Sequence, residues 1–127
     1  MSDTAAGADA PAPTDAQVAC FEAGIKFGSL YHQFAGTPVS PASAPSLAAA
    51  MEEAIENQPH CESVAVDIRE EALAEAVADG PASYTELTGR FFQVELHIAR
   101  EGTGVVAEMA MADGYPLMEV TAVRDRE

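Results

Sequence analysis

The stretch from Arg90 to Arg100 alternates apolar and polar side chains, with Phe92, Val94, Leu96 and Ile98 facing one way and Gln93, Glu95 and His97 the other. A period of two over this length reads as a strand with one side on a core and one side in water. Glu101-Gly102-Thr103-Gly104 is a turn, and Val105 to Met111 returns as the partner of a hairpin. Asp113-Gly114 turns again, and Tyr115 to Val123 supplies a further strand. Strands joined by such short turns are antiparallel neighbours, so this part of the chain is a meander whose apolar face needs a cover.

The cover lies upstream. Thr14 or Asp15 can cap a helix that begins at Ala16-Gln17-Val18 and fades near Phe34. Val18, Phe21, Ile25 and Leu30 supply apolar positions on it, and Phe27, Tyr31 and Phe34 supply another side, so it is expected to pack against more than one neighbour. Gly24 and Gly28 share one face of this helix. Each costs about 1 kcal/mol relative to Ala in a helix interior, which points to close approach by a partner element or a ligand. Gly36 and Pro38 end the helix.

Ser46 caps a second helix, Leu47 to Asn57, with Leu47, Met51, Ala54 and Ile55 as its buried stripe; Gln58-Pro59 closes it. Residues 61–68 read as a strand, and residues 69–79 as a short acidic helix stopped by Gly80-Pro81. The expected architecture is α+β, a four-stranded antiparallel sheet packed against two main helices, in a single domain over 15–127. Residues 1–14, rich in Ala, Pro and Asp, read as a disordered tail.

Composition narrows the function. The chain of 127 residues carries 21 Asp and Glu against 6 Lys and Arg, a net charge of −15. Affinity for phosphate backbones comes from Lys and Arg, so nucleic acid and anionic membrane surfaces are excluded as partners. No apolar run is long enough to span a bilayer, and the N-terminus does not read as a secretory signal. Cys20 and Cys61 are too few for a disulfide framework, leaving a cytoplasmic domain as the expectation. Lys26 is the only lysine. Such an acid excess repels itself unless salt near 1 M shortens the screening length to about 3 Å, which predicts a salty cytoplasm; the rival reading is a basic partner.

Five residues stand out. Glu22 sits mid-helix among apolar neighbours, either in water or as a paired anchor for a ligand, and Lys26 one turn on is placed for an i,i+4 ion pair. His32, between Tyr31 and Gln33, is a candidate general acid or base, or a core histidine satisfied by backbone. Gln58 offers a donor and an acceptor to a heterocycle edge, and Tyr115 a phenol for proton transfer, although surface and core roles suit them as well. Ten helical residues separate Glu22 from His32, about 15 Å of rise. Either they serve different sites, or the helix breaks, or another subunit completes one site. Cys20, His32, His60 and Cys61 lack metal-site spacing, and no phosphate loop or nucleophile elbow is present.

The segment CFEAGIKFGSLYHQFAGTPVS (20–40), together with Gln58-Pro59, Tyr84-x-Glu86-Leu87-Thr88-Gly89 and Tyr115-Pro116-Leu117-Met118, resembles the archaeal dihydroneopterin aldolase family over residues 17–123. The resemblance implies a homotetrameric lyase that needs neither metal nor organic cofactor. It would cut 7,8-dihydroneopterin into 6-hydroxymethyl-7,8-dihydropterin and glycolaldehyde, on the way to tetrahydrofolate or tetrahydromethanopterin. The family's functional positions match Glu22, His32, Gln58 and Tyr115; on chemical grounds Glu22 and Gln58 are expected to bind substrate and His32 and Tyr115 to move protons, with Lys26 as a further catalytic candidate. The competing expectation is a non-catalytic pterin-binding or acidic partner-binding module.

Overall fold

The structure, a computed structural model, describes residues 10–125. The expected tail thus lies outside the described residues up to position 9, and residues 10–14 form neither helix nor strand. Helix α1 spans Asp15–Phe34. Thr14 caps it: its Oγ1 accepts from the Gln17 N–H at 3.0 Å, while Gln17 Oε1 accepts from the Thr14 N–H at 2.9 Å. This reciprocal pair satisfies two of the donors that a helix start leaves orphaned. Ala19, Ala23, Phe27 and Leu30 line its buried face. Gly36, at φ +90°, turns the chain out of the helix, and its N–H donates to the Leu87 carbonyl at 2.7 Å.

A short strand β1 (Pro38–Val39) precedes helix α2 (Ala44–Glu56). The second helix therefore starts three residues before the expected Leu47, with Ser43 rather than Ser46 at its cap position. Pro45 sits in its first turn, where a missing N–H costs nothing. Strand β2 (Cys61–Ile68) and helix α3 (Glu70–Asp79) follow as expected. Strand β3 (Thr85–Glu86) pairs with β1 in a small separate sheet. A 3₁₀ turn at Gly89–Phe91 leads into β4 (Phe92–Arg100), β5 (Thr103–Ala112) and β6 (Tyr115–Asp125).

The main sheet is antiparallel in the order β2-β4-β5-β6. Both hairpin turns, Glu101-Gly102 and Asp113-Gly114, hold two successive residues at positive φ, the geometry that matches the twist of the flanking strands. The alternation in β4 plays out as expected: Phe92, Val94, Leu96 and Ile98 are buried beneath the helices while Gln93 and Glu95 are exposed. Helix α2 lies on β2, and α1 lies on β4 and β5. Met51 and Ile55 from α2, with Leu30 from α1, close the core from above.

The two outer strands are treated differently. On β2, the N–H groups of Val64 and Val66 donate to Glu56 Oε2 at 3.1 Å and Glu52 Oε2 at 2.8 Å. Carboxylates one helical turn apart thus block an edge whose free donors recur every second residue. Strand β6 keeps Leu117, Met118, Val120 and Val123 exposed. Phe21 and Ile25, read as packing positions of α1, are 69% and 45% exposed, so the described residues do not cover that side of the helix. Nor does any other part of the described chain approach Gly24 or Gly28, as a Cβ at either would meet nothing within 4 Å.

Candidate active site

The flank of α1 that faces α2 presents Glu22, Lys26 and Ser29 at successive one-turn spacings. Lys26 Nζ donates to Glu22 Oε1 at 2.8 Å, and Lys26 is only 2% exposed against 24% for the Glu22 side chain. A superficial i,i+4 pair is therefore not what forms. The ammonium is buried and its charge is met by a carboxylate that still reaches solvent. The Lys26 hydrogen bond holds the Glu22 carboxyl below the ordinary carboxylate range; burial opposes it, while the charges of Lys26, His60 and Arg100 add to the lowering. Glu22 is ionised at neutral pH.

Gln58 follows the C-terminus of α2, and its Nε2 donates to Ser29 Oγ at 3.2 Å. That contact lies about 10 Å along the helix axis from Glu22 and about 4.5 Å short of His32. Helix α1 runs unbroken to Phe34, so a break between Glu22 and His32 is excluded. His32 is exposed, which removes the core-histidine reading. Ser29 and His60 gave no sequence signal of their own. Their place beside Glu22 and Gln58 comes from the packing of α2 on α1 and from the left-handed turn at His60, φ 69°.

Tyr115 lies elsewhere. It opens β6, is 65% exposed, and shares a cavity with Tyr31, Pro116, Leu117 and Met118. Strand β6 runs along the side of α1 opposite α2, where Cys20, Ala23, Gly24 and Phe27 wall a groove floored by Met118 and Val120. One chain thus spaces the Glu22–Lys26 pair, the Gln58–Ser29 contact and His32 along α1, and leaves Tyr115 across the helix.

The start of β6 is itself tightly held. A Cβ at Gly89 would lie 2.6 Å from Pro116 Cβ and 3.1 Å from Tyr31 Oη. The proline ring cannot swing away as a long side chain would. Gly89→Ala is expected to destabilise the fold by about 1–3 kcal/mol through overpacking and to displace Tyr115, which thermal melting and a crystal structure of the variant would check.

A carboxylate and a side-chain amide spaced along one helix can accept from one edge of a nitrogen heterocycle and read another edge. Burial pushes the Cys61 thiol up, Glu56 adds to that and Lys26 opposes it, so Cys61 is no ready thiolate nucleophile. Among the described residues, no group of three or more His, Cys, Asp or Glu is placed to hold a metal ion.

Comparison with known proteins follows the same outline. The family model for dihydroneopterin aldolase matches residues 14–121. A dihydroneopterin aldolase from Methanopyrus kandleri is 36% identical over 114 residues, covering 87% of this chain and 91% of the relative. One from Picrophilus torridus is 33% identical over 107 residues, covering 83% and 86%. A crystal structure of a Picrophilus torridus protein superposes with a TM-score of 0.75 at 31% identity, over 87% of this chain and 90% of that one.

Proposed function

The chain belongs to the dihydroneopterin aldolase family, and from that premise we propose that it performs the retro-aldol cleavage of 7,8-dihydroneopterin with its own side chains as binder, base and acid. The observation that carries this reading is the Glu22 carboxylate, held ionised by a buried Lys26 and followed along the same helix flank by the Gln58 contact and His32. Glu22 accepts hydrogen bonds from the pterin 2-amino group and N3–H, a two-donor edge that fits a carboxylate. Gln58 reads a second ring edge.

Cleavage needs a base to take the proton from the side-chain 2′-hydroxyl. As that oxygen becomes an aldehyde, the C1′–C2′ bond breaks and its electron pair moves onto C1′, conjugated with the ring C6=N5 imine. An acid then protonates C1′, giving the hydroxymethyl product and free glycolaldehyde. The substrate carries its own electron sink, so the protein supplies orientation and two proton transfers, which we assign to His32 and Tyr115. Lys26 keeps Glu22 charged. An enamine through its amine is unnecessary, because the imine already exists in the ring.

Around this chemistry we place a homotetramer in the cytoplasm of a halophile, feeding tetrahydrofolate or tetrahydromethanopterin synthesis. Two free thiols suit a reducing compartment, and the net charge of −15 suits molar salt. The purified chain, assayed in molar salt with 7,8-dihydroneopterin, is expected to release glycolaldehyde and 6-hydroxymethyl-7,8-dihydropterin in equal amounts. Tight pterin binding without either product would make it a binding module instead.

A further inference from the structure

We propose that Ser29 is a positioning residue that fixes which end of the Gln58 amide meets the substrate, and so makes the site selective for a 7,8-dihydropterin ring over a fully oxidised one; this rests on the binding roles proposed above. A primary amide carries an acceptor at one end and a donor at the other, and the torsion that exchanges them is broad and roughly two-fold. A free Gln58 would therefore suit either kind of ring nitrogen. This one is held. Its backbone N–H donates to the Ile55 carbonyl at 3.0 Å and its carbonyl accepts from the Cys61 N–H at 3.4 Å, which fixes the stem just beyond α2. Its Nε2 donates to Ser29 Oγ at 3.2 Å. Both residues are half-buried, so the contact is partly shielded from competing water.

With its nitrogen engaged at Ser29, the amide has its oxygen left to accept. The 7,8-dihydro bicycle carries ring N–H groups at N3 and N8. Glu22 takes N3–H together with the 2-amino group, so N8–H is the ring donor that remains for Gln58 Oε1. Beside it N1 is an acceptor, which the second hydrogen of Gln58 Nε2 serves. A carboxamide thus matches this edge at both atoms. In the fully oxidised ring N8 has lost its hydrogen and N1 is unchanged. That edge then presents two acceptors, and the Gln58 oxygen faces a lone pair. A site whose polar group is left unpaired in this way rejects the analogue. Ser29 lies one turn before His32 and spends its hydroxyl on Gln58, so its effect falls on ring recognition rather than on proton transfer.

The test is titration calorimetry of the full chain in molar salt with two ligands that differ only in the ring: 6-hydroxymethyl-7,8-dihydropterin and its fully oxidised counterpart, 6-hydroxymethylpterin. The unaltered chain is expected to bind the dihydro ligand roughly 10- to 100-fold more tightly. In Ser29→Ala the amide is free to turn its nitrogen toward N8. The dihydro ligand is then expected to bind about 5-fold more weakly and the oxidised one more tightly, so that the preference falls below about 3-fold. Ser29→Thr keeps a hydroxyl at the same place and should restore it. Ala is a better helix former than Ser, so Ser29→Ala keeps its fold and melting temperature. A merely structural serine would move the melting temperature and leave the preference alone. A preference intact in Ser29→Ala overturns the role of Ser29, and equal binding of both ligands by the unaltered chain overturns the selectivity; each result leaves the aldolase reading standing. Binding of neither ligand overturns this inference together with the proposed function.

Discussion

His32→Ala is expected to keep the fold and lose about 10²–10⁴-fold in kcat with little change in KM, the range that removal of a positioned acid or base produces. Stability is spared because His32 is exposed, one turn beyond Ser29, and contributes nothing to the packed face of α1. Binding is spared because the proposed function has the ring edges held lower down, at Glu22 and at Gln58, whose amide meets Ser29. In the proposed binding mode only the substrate's hydroxylated side chain extends to the His32 end. Steady-state kinetics on glycolaldehyde release separate the two parameters. A rise in KM at constant kcat would make His32 a binding residue and leave proton transfer to Tyr115 and solvent.

The parts of this molecule legible in the sequence are those governed by local periodicity. The period of two in Phe92–Ile98 and the paired turn residues Glu101-Gly102 and Asp113-Gly114 determine strand, register and hairpin within a few residues of each other, and the meander follows. The β1–β3 pair was not legible. Two-residue strands carry no period, and they exist because the Gly36 and Leu87 backbones, 51 positions apart, meet. The second helix begins early because Pro45 is tolerated in a first turn, a context-dependent exception to its breaker role.

At the site, the i,i+4 spacing of Glu22 and Lys26 announces the ion pair but not the burial of the lysine, because spacing along one helix carries no information about what packs on it. Phe21 and Ile25 show the matching limit. Periodicity says that α1 has more than one apolar side, yet it does not say which side the chain covers itself. The pairing of Ser29 with Gln58 joins positions 29 residues apart and could not be read from either alone.

Glu22→Gln is expected to weaken substrate binding and the fold together, and a second substitution separates the two. For binding, the carboxylate we propose to face two ring N–H donors becomes an amide with one acceptor and one donor. Hydrogen bonds to a charged group are worth about 1.5–3 kcal/mol, so KM should rise roughly 10- to 100-fold. For the fold, Lys26 is 2% exposed and loses the charge that compensates it. Breaking a buried pair costs about 3–5 kcal/mol; here the amide oxygen still accepts and the partner side chain reaches water, so about 2 kcal/mol is expected. Lys26→Met in the Glu22→Gln background removes the stranded ammonium and should recover most of that stability, while KM stays high. Acid titration gives an independent readout. Because Lys26 lowers the Glu22 pKa in the folded state, the pair's contribution is present above the ordinary carboxylate pKa and disappears as pH falls through the lowered value. The double variant should lack that acid-side loss. A double variant no more stable than Glu22→Gln alone would mean that the lysine's charge was never the source of the cost, and that Lys26 is held by its hydrocarbon stem rather than by Glu22.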